Sequence, residues 1–147
     1  MSTAVTDKAA AASAYRLEGQ VGFVLRRATQ RHLAIFAARI PELTPTQFAA
    51  LAKLEELGPV SQNRLGRETA MDASTIKGVI DRLSARGLVE TAPDARDRRR
   101  LMVTLSAAGR ALFEALAPAA LEISAETLAP LSPAERRRFL DLLEKLA

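Results

Sequence analysis

The chain has no cysteine, no tryptophan and a single histidine, His32. The missing thiols exclude disulfides, thiol nucleophiles, cysteine-ligated zinc and iron–sulfur clusters. One histidine excludes a multi-histidine metal centre, so neither a metal nor another cofactor is expected. No run approaches the roughly 18 apolar residues of a membrane-spanning helix. The Ala-rich start carries Asp7 and Lys8 and lacks the apolar block of a secretory signal. A cytoplasmic protein without a membrane partner is the expectation. Catalysis finds no footing either. His32 has no Ser or Asp at useful spacing on its helix, and there is no glycine-rich phosphate loop, so no enzyme is read here.

What is present is one domain's worth of chain, 147 residues, 48% apolar and 26% charged. That is enough to bury a core without covalent staples. Lys and Arg number 21 against 17 Asp and Glu, for a net charge of +4. The surplus is uneven: residues 61–100 carry 9 basic and 6 acidic side chains, residues 101–147 carry 5 and 6. A basic middle between near-neutral flanks points to an anionic partner such as nucleic acid. Arg-rich codon usage is the bland alternative, since 17 of the basic residues are Arg.

Periodicity predicts a long helix over 14–38, ended by Pro41. A second begins at Thr44-Pro45-Thr46-Gln47, a capping-box pattern, buries Phe48, Leu51, Leu54 and Leu57, and stops at Gly58-Pro59. After a short extended piece at Pro59 and Val60, Ser61 opens a helix over 62–70. Asp72 caps another over 73–86, closed by Gly87. Residues 88–91 and 101–105 read as antiparallel strands joined by the charged loop 92–100. Ser106 caps a long helix to about 128, which Pro118 is expected to bend or split. Ser132-Pro133-Ala134-Glu135 starts the last helix. The first dozen residues, low in complexity, are expected to form a disordered or frayed arm.

This order, helix, short helix, helix, strand, charged loop, strand, describes a winged helix-turn-helix lobe in a mainly α protein with a small β-hairpin wing. The second helix of such a motif lies in the DNA major groove. Here its exposed face carries Ser74, Thr75, Lys77 and Gly78: small or polar groups that permit close approach, and one long donor. Asp94-Ala95-Arg96-Asp97-Arg98-Arg99-Arg100 sits at the hairpin tip. Arginines there suit a narrow minor groove, whose negative potential attracts guanidinium. An adjacent carboxylate, as at Asp97, can hold an Arg by a bidentate pair. The bland readings are a solvated helix face and a solvated charge run.

Met71-Asp72-Ala73-Ser74-Thr75-Ile76-Lys77, Asp81-Arg82-Leu83-Ser84-Ala85-Arg86-Gly87-Leu88-Val89, Asp94-Ala95-Arg96-Asp97-Arg98-Arg99 and Leu105-Ser106-Ala107-Ala108-Gly109 together resemble the core signature of the MarR family of bacterial transcription regulators. The resemblance covers residues 43–109, and the flanking helices match in length and order. It implies a homodimer, with dimerisation helices over 13–42 and 106–147 flanking a DNA-binding lobe over 43–105. Two such lobes would face successive major grooves of a pseudo-palindromic double-stranded operator. It implies base contacts near Lys77, with Ser74 and Thr75 close by, and entry of Arg99 into the minor groove, steadied by Asp97. Ser61, Gln62 and Asn63 open the preceding helix, where amides and side chains can hold a phosphate. Ser106 stands where the family usually has Thr, and Pro118 is a further departure.

The resemblance also implies a repressor of catabolic or stress genes, released from DNA by a small aromatic acid or phenolic effector, a hydroxylated nicotinate being one such acid. Arg27, Arg31 and His32 are the candidate ligand-binding residues. An Arg would pair with a carboxylate, and His32 would bond a ring hydroxyl. Each also fits a plain structural role: His32 as a packed group, the arginines as a solvated face. Two other readings stay open, a ligand-independent DNA-compacting protein and a winged-helix module that binds another protein.

Overall fold

The structure is a computed structural model and describes residues 2–147. The chain divides into two compact units, Met1–Ala34 and Ile35–Ala147.

In the first unit, α1 spans Ser2–Ala14. The segment expected to be a disordered or frayed arm is therefore helical where it is described. Met1 lies outside the described residues. Alanine, the best helix former, accounts for much of it, and low complexity concealed that propensity. The helix expected from residue 14 does not start there. A single 3-10 turn, Leu17–Gly19, sits between extended residues Arg16 and Gln20. Only then does α2 begin, spanning Val21–Arg39. The apolar spacing of Leu17, Val21 and Val24 runs on through the break, so periodicity alone misses it.

The second unit holds the end of α2 and all later elements. α3 spans Pro45–Leu57 behind the expected capping box. Thr44 Oγ1 accepts from the Gln47 N–H at 3.2 Å, and the Gln47 side chain accepts from the Thr44 N–H at 3.1 Å. Gly58, at φ 73°, closes it. β1 is Val60–Ser61, α4 is Gln62–Glu68 and α5 is Ala73–Ala85. The turn between α4 and α5 places Ala70 at φ 54°, a left-handed conformation that costs an L-residue roughly 1 kcal/mol. β2 is Val89–Pro93 and β3 is Leu101–Leu105. They pair antiparallel from Val89 opposite Leu105 to Pro93 opposite Leu101. β1 adds to the far side of β3, Val60 opposite Val103, giving the order β1-β3-β2.

α6, Ala107–Thr127, is continuous. Pro118 does not split it. The ring lies on an exposed position, and the alanines beside it favour helix. α7 spans Pro133–Glu144 behind a second capping box at Ser132 and Glu135.

The core of this unit is one apolar cluster. Ile40, Leu51, Leu54, Leu65, Ile76, Ile80, Leu83 and Val103 are fully buried in it. Truncating any of these leucines or isoleucines to Ala would cost about 2–5 kcal/mol. Polar ties fix the helices around it. Arg39 reaches Glu122 and Glu126 on α6 at 2.6 Å each. Arg86 donates to the Glu42 carbonyl at 2.8 Å. Gly109 lets α6 meet the hairpin, since a Cβ there would run into the Leu88 carbonyl oxygen. The lobe is a winged helix-turn-helix. Among the described residues, no helix is long and apolar enough to cross a membrane.

Candidate nucleic-acid interface

α5 is held by its buried side. Ile76, Val79, Ile80 and Leu83 enter the core, which turns Ser74, Thr75 and Lys77 outward and leaves Gly78 half-exposed. The helix start is set by Asp72, whose Oδ1 accepts the Thr75 N–H at 2.7 Å. That bond first, then the Thr75 hydroxyl, hold the Asp72 carboxyl below its ordinary value. The helix N-terminus is thus already served by a carboxylate of its own. The Thr75 N–H is therefore not offered to an incoming phosphate.

Lys77 Nζ lies 2.8 Å from Asp81 Oδ2, one turn on. Both groups are mostly exposed, so the pair is worth at most ~0.5 kcal/mol, and the ammonium is readily transferred to a stronger acceptor. A Cβ at Gly78 would meet nothing closer than Arg82 Nη1, at 3.9 Å. Packing within the chain therefore does not require this glycine.

On α4, Ser61 caps the helix by accepting the Arg64 N–H at 3.2 Å. Asn63 is exposed and borders a groove of about 400 Å³ between α4 and the start of α5, which Arg67, Met71 and Ala73 also line. Gln62 behaves differently: its Oε1 is buried, with no hydrogen-bond partner among the described residues.

The wing tip is folded by its own carboxylates. The Asp94 N–H donates to the Arg100 carbonyl at 2.8 Å, and the Arg100 N–H to the Asp97 carbonyl at 2.9 Å. Asp94 Oδ1 accepts the Arg96 N–H at 3.0 Å. Asp97 Oδ1 accepts both the backbone N–H of Arg99 at 3.1 Å and its Nε at 3.3 Å. This is a single-oxygen contact, not the bidentate pair expected. Arg99 nevertheless keeps its side chain 93% exposed. Arg96 and Arg98 are exposed as well. Asp97 thus shapes the turn and aims Arg99 without covering it.

The three candidate ligand residues all lie on α2, in the first unit. Arg27 and Arg31 are exposed and one turn apart, and His32 is half-buried. The Arg27 guanidinium lies 5.9 Å from the Phe23 ring centroid. In the second unit Phe48 meets Phe36 edge to face, ring centroids 6.3 Å apart, and packs at a tilt against Phe113 at 5.6 Å.

Residues 42–100 match the MarR family model. The HTH-type transcriptional repressor NicR of Pseudomonas putida is 44% identical over 134 residues, 90% of this chain and 85% of that protein. The chain belongs to the MarR family. A probable transcriptional regulator from Pseudomonas aeruginosa superposes with a TM-score of 0.87 at 55% identity, over 90% of this chain and all of that one. BpsR of Bordetella bronchiseptica, solved for the regulation of its DNA binding by 6-hydroxynicotinic acid, gives 0.87 at 45% identity, over 90% and 96%. This MarR-family protein is accordingly a DNA-binding transcription regulator, and its family is one of regulators, not enzymes. Among these relatives, NicR is a transcriptional repressor and BpsR has its DNA binding regulated by 6-hydroxynicotinic acid.

Proposed function

We propose that the protein is a cytoplasmic, dimeric repressor that holds a pseudo-palindromic operator and releases it when a small aromatic acid binds, a hydroxylated nicotinate being the first to test. The observation that carries the DNA half is the wing tip: four exposed arginines on a hairpin, one aimed by Asp97, beside a helix whose outer face is small and polar. In this reading α5 lies in the major groove with Ser74, Thr75, Lys77 and Gly78 at base edges. Arg96, Arg98 and Arg99 serve the flanking minor groove. Ser61, Gln62 and Asn63 sit on a phosphate.

Unpartnered apolar faces support the dimer. In the first unit Leu17, Val21, Val24, Leu25 and Leu33 are exposed, and on α7 so are Phe139, Leu140 and Leu142. Such faces are the usual mark of an interaction site. Residues 13–42 and 106–147 are the dimerisation segments of this reading, and residues 43–105 the DNA lobe. Two lobes on one duplex need recognition helices about 34 Å apart. An effector represses binding only by preferring the dimer form that misses this spacing.

The ligand half is supported by the 45% identity to BpsR, whose DNA binding 6-hydroxynicotinic acid regulates. Arg27 or Arg31 pairs with the carboxylate, and His32 bonds the ring hydroxyl. The test is release of a labelled operator duplex by 6-hydroxynicotinic acid, with nicotinic acid as control. Release by the first at lower concentration, and loss of that preference in His32→Ala, is the expected result. Release unaffected by His32→Ala overturns the ligand assignment, and no release by any aromatic acid overturns the effector.

A further inference from the structure

The outer face of α5 carries one more basic residue, Arg82, outside the contacts already assigned. An Arg in the last turn ordinarily serves the helix's own C-terminal carbonyls. Arg82 does not: its Nη1 lies 3.9 Å from where a Cβ on Gly78 would stand, a full turn back toward the helix start. This is the direction in which helical side chains lean. Thr75, Gly78 and Arg82 fall on one stripe at i, i+3 and i+7. Asp81, the carboxylate on this face, is engaged by Lys77 at 2.8 Å. The guanidinium of Arg82 has no hydrogen bond or ion pair among the described residues. It is exposed, and because residue 78 has no side chain, it lies over bare helix at the level of the groove-facing positions.

We infer that Arg82 is a further base-reading residue of the operator complex, its planar fork donating to the O6 and N7 of a guanine, with Gly78 leaving the space in which it lies. A guanidinium that leans over Gly78 comes within reach of base edges when the helix lies in a major groove, where an Arg fork matches the O6 and N7 of guanine. The inference rests on α5 being the groove helix.

The test uses the full-length protein, with an operator duplex and a scrambled duplex of equal length at one salt concentration. The variants are Arg82→Ala, Arg82→Lys and Lys77→Ala. Arg82→Ala is expected to weaken operator binding about tenfold or more and scrambled binding less than about twofold. Arg82→Lys should not rescue, because an ammonium cannot form the two-pronged contact. Equal losses on both duplexes, or full rescue by Lys, would make Arg82 a phosphate contact and overturn base reading. If Lys77→Ala weakens operator binding and Arg82→Ala does not, the Arg82 assignment fails alone. If both variants bind the operator as the unmodified protein does, the groove-helix reading fails with it.

Discussion

Replacing Gly78 with Ala should move two properties in opposite directions. Gly78 lies within α5 without a positive φ, and its Cβ position is open, the nearest atom being Arg82 Nη1 at ordinary contact distance, 3.9 Å. The fold therefore accepts the methyl group. A glycine inside a helix costs roughly 1 kcal/mol relative to Ala, so the variant should be more stable by about that amount. For a chain of this size the gain corresponds to about 2–4 °C in Tm. If the glycine is retained because the helix approaches base edges at this point, the same methyl group stands in the contact. Operator affinity should then fall about tenfold, which is about 1.4 kcal/mol, while scrambled-duplex binding changes little. Thermal unfolding and fluorescence anisotropy on the same preparation read both effects. A variant that is more stable and binds operator equally well would refute the close approach. A variant that is less stable would refute the packing argument.

Other outcomes follow from the same geometry. Arg99→Ala should leave Tm unchanged, because its ion pair with Asp97 is exposed, yet weaken operator binding. In a dimer it removes two cations, and the slope of log affinity against log salt should shrink by about 2 if both face phosphates. An unchanged slope and affinity would remove the wing from the interface. Gly109→Ala should destabilise the lobe by about 1–3 kcal/mol, since the added Cβ collides with the Leu88 carbonyl and crowds Leu105 Cδ1 at 2.9 Å. A Tm equal to or above that of the unmodified protein would contradict this joint. Asp72 and Glu135 are both held below their ordinary carboxyl values, chiefly by backbone N–H donors at helix starts. Their folded values lie below their unfolded ones, so their stabilisation is complete above the unfolded carboxyl range and drains as pH falls through the folded values. Acid unfolding should therefore be less pH-dependent in Asp72→Asn, and a parallel loss at every pH would refute the linkage.

Most helix starts were legible because each is decided by neighbours in sequence. Thr44, Ser61, Asp72, Ser106 and Ser132 each accept an N–H three residues on, as the cap patterns predict. The break before α2 was not legible. Its only local sign is Gly19, and the surrounding apolar spacing imitates a continuous helix. The pairing of β1 was hidden for another reason: Val60 and Val103 are 43 positions apart, and local pattern carries no information on such a partner. Of the candidate interface, residue types and order were readable at 74–78 and 96–99. The direction of individual groups was not. The buried Gln62 Oε1, the Lys77–Asp81 pair and the backward lean of Arg82 depend on packing around them.

Sequence-specific duplex binding by two copies of the chain underlies every binding outcome above. It is tested most directly by titrating the DNA just upstream of the protein's own gene, against a scrambled duplex, with stoichiometry and affinity read together. Two chains per duplex, and affinity for the upstream DNA at least about a thousandfold above scrambled at physiological salt, is the predicted result. Equal affinity for both duplexes, with binding that continues past two chains as protein is added, would contradict it and favour a compacting protein.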